Sequence, residues 1–401
     1  MKYWRGYITA AVLGAITWVV MAFGQRFTVL VDMVYPYVVR TLQTILAEWS
    51  SKVDFNLWQM GAIALAVVGL ATVVLMIELK WNPIQWFGWV LAAASGLYLC
   101  HMLVFGLNYY AGPLAEDIRL EVVEYNVEEL TEAAIYYRDK ANDLANQVKR
   151  DGSGNPQFPE FEVLAEQAAD GFHSLTYESS LPVFAGSTLP VKKLAWADLY
   201  TSMSVTGITM GLTGEASVNP QTPPIALPFT MCHEMAHRMC IASERDANFA
   251  AFLACQANES VEFQYSAYFM AYRYCYNALA KDSSQEASAA AARVSSGVND
   301  NLYQDMVNYT QFYSGNQNAT AASAAATAND TYLKASGETE GIKSYGQVCD
   351  LLVSWHIQEV VLPSITVVEK PFDPFDESQV DLTGIVNAKT EEPTEETEPN
   401  E

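Results

Sequence analysis

The sequence contains few charged residues and very few basic ones. Charged side chains make up 17% of the 401 residues, and 22 Lys and Arg stand against 46 Asp and Glu, a net charge of −24. Nucleic-acid binding depends on Lys and Arg that neutralise phosphates and release counterions, and so does docking on anionic lipid headgroups. The composition therefore argues against a nucleic-acid partner and against adsorption to anionic lipid surfaces.

Cysteine is sparse as well. The six cysteines include no Cys-x-x-Cys pair and form no dense framework, since they lie at positions 100, 232, 240, 255, 275 and 349. They neither require nor exclude an oxidising compartment, because a chain of this length folds without disulfides and a buried Cys packs as a small apolar side chain.

Apolar residues, in contrast, make up 51% of the chain. Three uncharged stretches, at about 7–23, 57–77 and 84–107, approach the ~20 residues that cross a ~30 Å hydrocarbon layer as a helix. We predict that residues 1–112 form a membrane domain with three transmembrane helices. Residues 28–54 fit an amphipathic helix at the membrane face. A cleaved signal peptide is an alternative for the first stretch, but the other two would still anchor the chain.

The basic residues of this domain only weakly indicate its orientation. Lys2, Arg5 and Lys80 would lie on one side of the membrane, and Arg26, Arg40 and Lys52 on the other. Because two of them directly precede the first span, we expect a cytoplasmic N-terminus. Three crossings then predict a multi-pass protein of the cell membrane with an extracytoplasmic main domain.

The main domain is predicted to cover residues 113–370 and to be mostly helical. Helical patterns cover residues 114–148, with one break, 231–279 and 288–313, and residues 181–228 favour short strands and loops. Residues 317–329, rich in Ala, Thr and Asn, are expected to be loosely ordered. Residues 371–401 are expected to be a disordered acidic tail because their final segment cannot bury apolar surface.

A short motif carries the chemistry: His233-Glu234-Met235-Ala236-His237. Residues four apart project from one face of a helix, so His233 and His237 can bring two imidazoles to one ion. Neutral imidazole suits Zn²⁺, and a catalytic site keeps one position open for water, whose pKa falls to about 7. Glu234 would take the proton of that water and pass it to the leaving amine.

A catalytic zinc needs a third protein ligand. A His six residues after the second ligand would indicate a metzincin, but Ser243 occupies that position. Glu244 is the better candidate. A straight helix would place it about 10 Å beyond His237, too far to share a ligand sphere of ~2 Å. The chain must therefore bend between these two residues.

The bend has a sequence signature. Ser243 is a good N-cap and Asp246 puts a carboxylate in the first turn, so a second helix can start here with Glu244 and Asn248 on one face. This resembles the Glu-x-x-x-Asp segment of gluzincins, with Asn248 in a supporting role beside the ligands. Two alternatives stay open, in which Glu244 faces solvent or the Cys240 thiolate is the third ligand.

Residues 230–255, TMCHEMAHRMCIASERDANFAAFLAC, resemble the DUF3810 family of bacterial membrane proteins. The resemblance extends in order from the first span to about residue 355, through residues 105–114, 211–219, 265–268 and 332–346. It implies a membrane region and a zincin-like domain with the site residues His233, Glu234, His237 and Glu244. The family usually has Gly at the position of Cys240, where Gly would ease the bend.

Further polar residues are candidates for substrate contacts. Tyr265 and Tyr268 follow the metal motif and would donate to the oxyanion of a tetrahedral intermediate. The alternative is that both pack in an aromatic-rich helix. Gly214, Glu215 and Asn219 would hold an extended peptide beside the cleft, and a plain turn is the alternative there.

Together these patterns predict a mostly helical, membrane-anchored zinc metallopeptidase that hydrolyses peptide bonds of proteins or peptides near the membrane. A catalytically inactive zinc-binding sensor or scaffold is the alternative, against which Glu234 argues, because a structural site needs no base. A membrane assembly protein without metal would require the histidines to be coincidental.

Overall fold

The computed structural model describes residues 4–338 and 347–362 and is mostly helical, as predicted. Its α-helices are, in chain order, α1 (Arg5–Arg26), α2 (Thr28–Ser50), α3 (Leu57–Glu78), α4 (Pro83–Val104), α5 (Leu114–Asp117), α6 (Val127–Ala145), α7 (Phe161–His173), α8 (Ala197–Ser202), α9 (Leu227–Arg238), α10 (Glu244–Ala257), α11 (Val261–Lys281), α12 (Gln285–Ser295), α13 (Asp300–Asn316), α14 (Ala319–Ser336) and α15 (Val348–Trp355). The described residues up to His356 belong to one compact unit.

Four helices, α1 to α4, are long and apolar enough to cross a membrane, one more than predicted. The additional candidate is α2, the segment predicted to be amphipathic, and it is the least apolar of the four. Helices α1 and α4 pack side by side, while α3 buries only Gln59. These apolar helices support membrane association.

The second half of the unit is a helical assembly with one small sheet. Helices α9, α10 and α11 pack against one another, α6 packs on α11, and α9 also packs on the sheet. The strands are β1 (Lys192–Lys193), β2 (Gly207–Met210) and β3 (Glu215–Val218), in the order β1-β3-β2. Strand β1 is parallel to β3 and β2 is antiparallel to it. The predicted short strands before α9, the helix that carries the His233–His237 motif, are thus confirmed.

Two local predictions need correction. The helix predicted over residues 114–148 is reduced to the short α5 and to α6, which starts at a capping box formed by Asn126 and Glu129. The segment expected to be loosely ordered belongs to α14 from Ala319 onward, because its many Ala residues favour helix and Asn318 caps the helix start. The predicted acidic tail lies outside the described residues, as do residues 339–346 and 363–370 of the predicted main domain.

Gly171 of α7 sets how closely that helix approaches α10. A Cβ atom at this position would overlap the backbone carbonyl of Ala254. We expect Gly171→Ala to force the helices apart and to lower the free energy of unfolding by about 1–3 kcal/mol. Gly152 has open space around it, so the free energy of unfolding of Gly152→Ala should be within about 0.5 kcal/mol of that of the parent. Unfolding of the full chain in detergent measures both, and equal midpoints for the two variants would contradict the packing argument.

Candidate metal centre

The predicted bend between α9 and α10, the helices that carry the candidate metal ligands, is present. Helix α9 ends in a Schellman-type turn, in which Cys240 N–H donates to the His237 carbonyl and Ile241 N–H donates to the Ala236 carbonyl. Cys240 has a φ of +74°, in the left-handed region that favours Gly. The turn redirects the chain so that α10 starts next to the end of α9.

The start of α10 differs in detail from the sequence prediction. Ser243 occupies the N-cap position, but its side chain makes no capping hydrogen bond. The Asp246 carboxylate instead accepts a hydrogen bond from the backbone N–H of Leu114, at 3.1 Å. Asn248 accepts a hydrogen bond from the Tyr274 hydroxyl at 3.1 Å. Contacts from other elements therefore hold α10 in place.

Three side chains converge where the two helices meet. The Nε2 atoms of His233 and His237 are 3.1 Å apart, and Oε2 of Glu244 lies 3.2 Å from the first and 3.5 Å from the second. Two ligands of a tetrahedral Zn²⁺, each at about 2.0 Å, lie about 3.3 Å from each other. The spacing of this triangle fits a zinc ion, and among the described residues these three form the one cluster of this kind.

Hydrogen bonding orients His237 for such a role. Its Nδ1 lies 2.8 Å from the carbonyl oxygen of Ile241, which can only accept a hydrogen bond. In the neutral ring, the form that binds a metal, the proton therefore belongs on Nδ1, and the Nε2 lone pair faces the other two side chains. The carbonyl comes from the bend itself, so the turn that brings Glu244 close also fixes the imidazole.

The electrostatics of the cluster suit a cation. Burial opposes a charge on His237, but the nearby Glu244 outweighs it and raises the pKa of His237 to about 9. Burial opposes the charge of Glu244 too, yet His237 and His233 hold the pKa of this carboxyl well below its usual range. A positive charge is therefore stabilised at the centre of the triangle.

Glu234 lies beside the cluster and belongs to a separate set of contacts. The Thr209 hydroxyl of β2 lies 2.7 Å from its carboxylate and 2.8 Å from its backbone carbonyl. Gly207 of the same strand leaves room for the carboxylate, because a Cβ there would overlap it. Burial raises the pKa of Glu234, against the opposing influence of His233 and His237. Thr209 and Gly207 belong to no motif of their own, so neither could be assigned to the site from the sequence.

A family model described as "Protein of unknown function (DUF3810)" matches residues 31–353. The chain belongs to the DUF3810 family. No curated protein and no solved structure matches it. The matched range begins in α2 and ends in α15, so it includes the whole cluster of this DUF3810 protein.

The structure does not bring the two predicted oxyanion donors to the cluster. The Tyr265 hydroxyl donates to Asp305 at 2.6 Å, and this carboxylate also pairs with Arg150 at 2.7 Å. Tyr268 packs in an aromatic group with Tyr136. In the DUF3810 chain both tyrosines therefore stabilise the helical core, the alternative that the aromatic-rich sequence left open.

The predicted peptide-binding residues also have structural partners. Glu215 accepts hydrogen bonds from the first two backbone N–H groups of α3, at 2.8 and 2.9 Å, and pairs with Lys192 at 2.7 Å. Gly214 has a φ of +65° and closely approaches the backbone of α2. The Asn219 amide donates to Thr201 at 2.9 Å. These contacts fix a turn and a helix start, and they give the side chains of Glu215 and Asn219 structural partners.

Cys240 does not join the triangle in this DUF3810 protein. Its thiol is buried, and burial raises the pKa of Cys240 to about 12, although the nearby Arg40 opposes the shift. A metal-ligating Cys needs the opposite, a thiolate favoured by its surroundings. The geometry therefore favours Glu244 over Cys240 as the third ligand.

Proposed function

We propose that this chain is a zinc-dependent metallopeptidase of the zincin type. In this proposal α1, α3 and α4 anchor it in the cell membrane, and it hydrolyses peptide bonds of proteins or peptides near the bilayer. The single observation that carries the proposal is the triangle of His233, His237 and Glu244, with the carboxylate of Glu234 held beside it by Thr209.

Each residue has a distinct part in this proposal. His233, His237 and Glu244 would hold the ion through two neutral ligands and one anion. Bound Zn²⁺ lowers the pKa of water to about 7 and polarises the scissile carbonyl. Glu234 accepts the proton of the attacking water and delivers it to the leaving amine. Thr209 donates to Glu234 and so keeps the carboxylate oriented for both transfers.

The membrane orientation is also part of the proposal. Lys2 precedes α1 in the sequence and Arg5 is the first residue of the helix, which favours a cytoplasmic N-terminus. With three crossings, the domain that contains the metal cluster would then be extracytoplasmic.

A zinc-binding sensor or scaffold without turnover is the second candidate. The burial of the cluster favours it, since His233, His237 and Glu244 are only 9%, 8% and 7% exposed. The position of Glu234 favours catalysis, because this buried carboxylate lies beside the cluster and belongs to none of its three ligand pairs.

The full chain, purified in detergent, separates these candidates. We expect about one zinc per chain by atomic emission, and cleavage of a peptide library that a chelator stops and added zinc restores. His237→Ala should lose both zinc and cleavage. His173→Ala, at an exposed histidine outside the cluster, should retain them. Zinc without cleavage would support the sensor, and a zinc-free parent chain would contradict both candidates.

A further inference from the structure

We propose that α2 is not a fourth membrane span. It lies in the plane of the bilayer surface, with one face in lipid and the other against the candidate metal centre. The placement follows from helix directions and contacts, and it does not depend on zinc.

The directions of α1 and α4 exclude four crossings. The two helices run parallel, because Gly6 packs against Gly88 near their first turns, Leu13 faces Gly96 in the middle, and Gly24 packs on the turn that follows α4. Consecutive spans alternate in direction, so the first and fourth of four spans would be antiparallel. A parallel pair requires one fewer crossing, and α2 or α3 must be the helix that does not cross.

Both ends of α2 bind the domain that follows α4. Near its start, Asp32 accepts a hydrogen bond from the Gly112 backbone at 2.8 Å, and at its end the Ser50 carbonyl accepts one from Lys192 at 2.7 Å. About 27 Å of helix separates the two contacts, close to the ~30 Å of the hydrocarbon core. A crossing α2 would place its partners on opposite sides of the bilayer, although both belong to one domain.

Helix α3, in contrast, has the features of a span. It is the most apolar of the four helices. Its start is fixed to the same domain, because Glu215 accepts hydrogen bonds from its first two N–H groups and the Asn56 amide donates to the Lys193 carbonyl at 2.7 Å. The chain therefore leaves α1 on the domain side, stays there through α2 and crosses again with α3.

The two faces of α2 differ as an in-plane helix requires. On the inner face, Arg40 and Gln43 are buried and donate hydrogen bonds to the domain. The outer face is apolar and exposed, with Leu30, Met33, Val34, Tyr37, Val38 and Ile45. Near the end of the helix, the Trp49 ring lies 4.0 Å from the Lys52 ammonium, a pair suited to the headgroup layer. Lipid is the occupant that continues the apolar surface of the neighbouring spans.

The inner face places the candidate metal centre next to the bilayer. Arg40 donates to the Met239 carbonyl at 3.0 Å, in the bend between the metal-binding helices. Gln43 donates to the Gly211 carbonyl at 2.8 Å, directly after the strand that holds Glu234. One lipid-bound helix thus supports two walls of the site. If the proposed function holds, the substrates are polypeptide segments adjacent to a membrane anchor.

Nitroxide depth measurements on the full chain test the placement. All variants carry Cys100→Ala, which removes the one exposed thiol. One variant then has a nitroxide label on Val38→Cys in α2, and the other has the label on Val67→Cys in α3. These residues form a matched pair, 63% and 61% exposed and both near a helix midpoint. In phosphatidylcholine vesicles, oxygen and nickel-chelate accessibility should place label 67 near the bilayer centre and label 38 about 5–10 Å below the surface.

Each other outcome overturns the placement. If the label at residue 38 is as deep as the label at residue 67, α2 spans the membrane. If the label at residue 38 is in water, α2 does not contact lipid. The label depths do not depend on the outcome of the zinc assay. Failure of the α2 placement is therefore distinguishable from failure of the proposed zinc-dependent function.

The consequence for substrates has a test of its own. A peptide cleaved when free should be cleaved at least ~10-fold faster when it is attached next to a membrane anchor in the same vesicles, because anchoring raises its effective concentration at the site. Equal rates would contradict a site at the bilayer surface.

Discussion

Replacing Glu234 with Gln is expected to lower the rate of peptide cleavage by about 10²–10⁴-fold, the contribution of a positioned general base. The amide has nearly the same shape and can still accept the hydrogen bond from Thr209, but it cannot take a proton from water. Because Glu234 is outside the ligand triangle, zinc should stay bound. Turnover of a peptide selected from the library and metal content by atomic emission measure the two effects separately.

Glu166→Gln is a matched control, since Glu166 is an exposed Glu of α7. It should leave cleavage and zinc content unchanged. If Glu234→Gln cleaves as fast as the parent, the base is another group. If Glu234→Gln instead loses zinc, the carboxylate supports the metal site and the assignment as a base fails.

The metal cluster could be predicted from the sequence because its geometry is local. Helical periodicity places His233 and His237 on one face, and the short length of a metal–ligand bond requires a bend before Glu244. The structure brings all three side chains together. The mostly helical fold and the short strands before α9 were predictable for a similar reason, since composition and periodicity act over neighbouring residues.

Contacts between distant residues could not be predicted in this way. Tyr265 and Glu215 are polar residues near the motif, so they looked available for substrate. Their hydroxyl and carboxylate are bound instead by partners far along the chain, Asp305 and the start of α3. Buried polar groups need partners, but periodicity does not identify them. The position of Thr209 beside Glu234 could not be predicted from the sequence for the same reason.

The number of membrane spans shows a related limit. Hydropathy and length make α2 a fourth candidate, whereas its mixed polar and apolar pattern predicts an amphipathic helix. The parallel packing of α1 and α4, a relation between segments about 80 residues apart, argues against four spans, and the contacts at both ends of α2 then favour the amphipathic helix. Local sequence patterns define which face of a helix is apolar. Whether the helix crosses the membrane depends on the directions of the helices before and after it.

Two residues, Glu244 and Cys240, are candidates for the third ligand of the site. We expect a large loss of zinc affinity when the true ligand is replaced. Glu244→Gln should weaken zinc binding by at least ~100-fold, more than the loss of a residue that only supports a ligand. The substitution removes the one anionic ligand of the triangle and leaves two neutral imidazoles 3.1 Å apart. Competition with a chromogenic chelator measures the affinity, and circular dichroism confirms that the helices are retained.

Cys240→Ala is the control for the rival ligand. The Cys240 thiol, with its pKa raised to about 12 by burial, lies outside the triangle, so its loss should leave the zinc affinity within about threefold of the parent. The opposite pattern, with affinity lost in Cys240→Ala and kept in Glu244→Gln, would make the third ligand a thiolate. The bend would then bring Cys240 to the ion, and Glu244 would be the buried anion that balances His237.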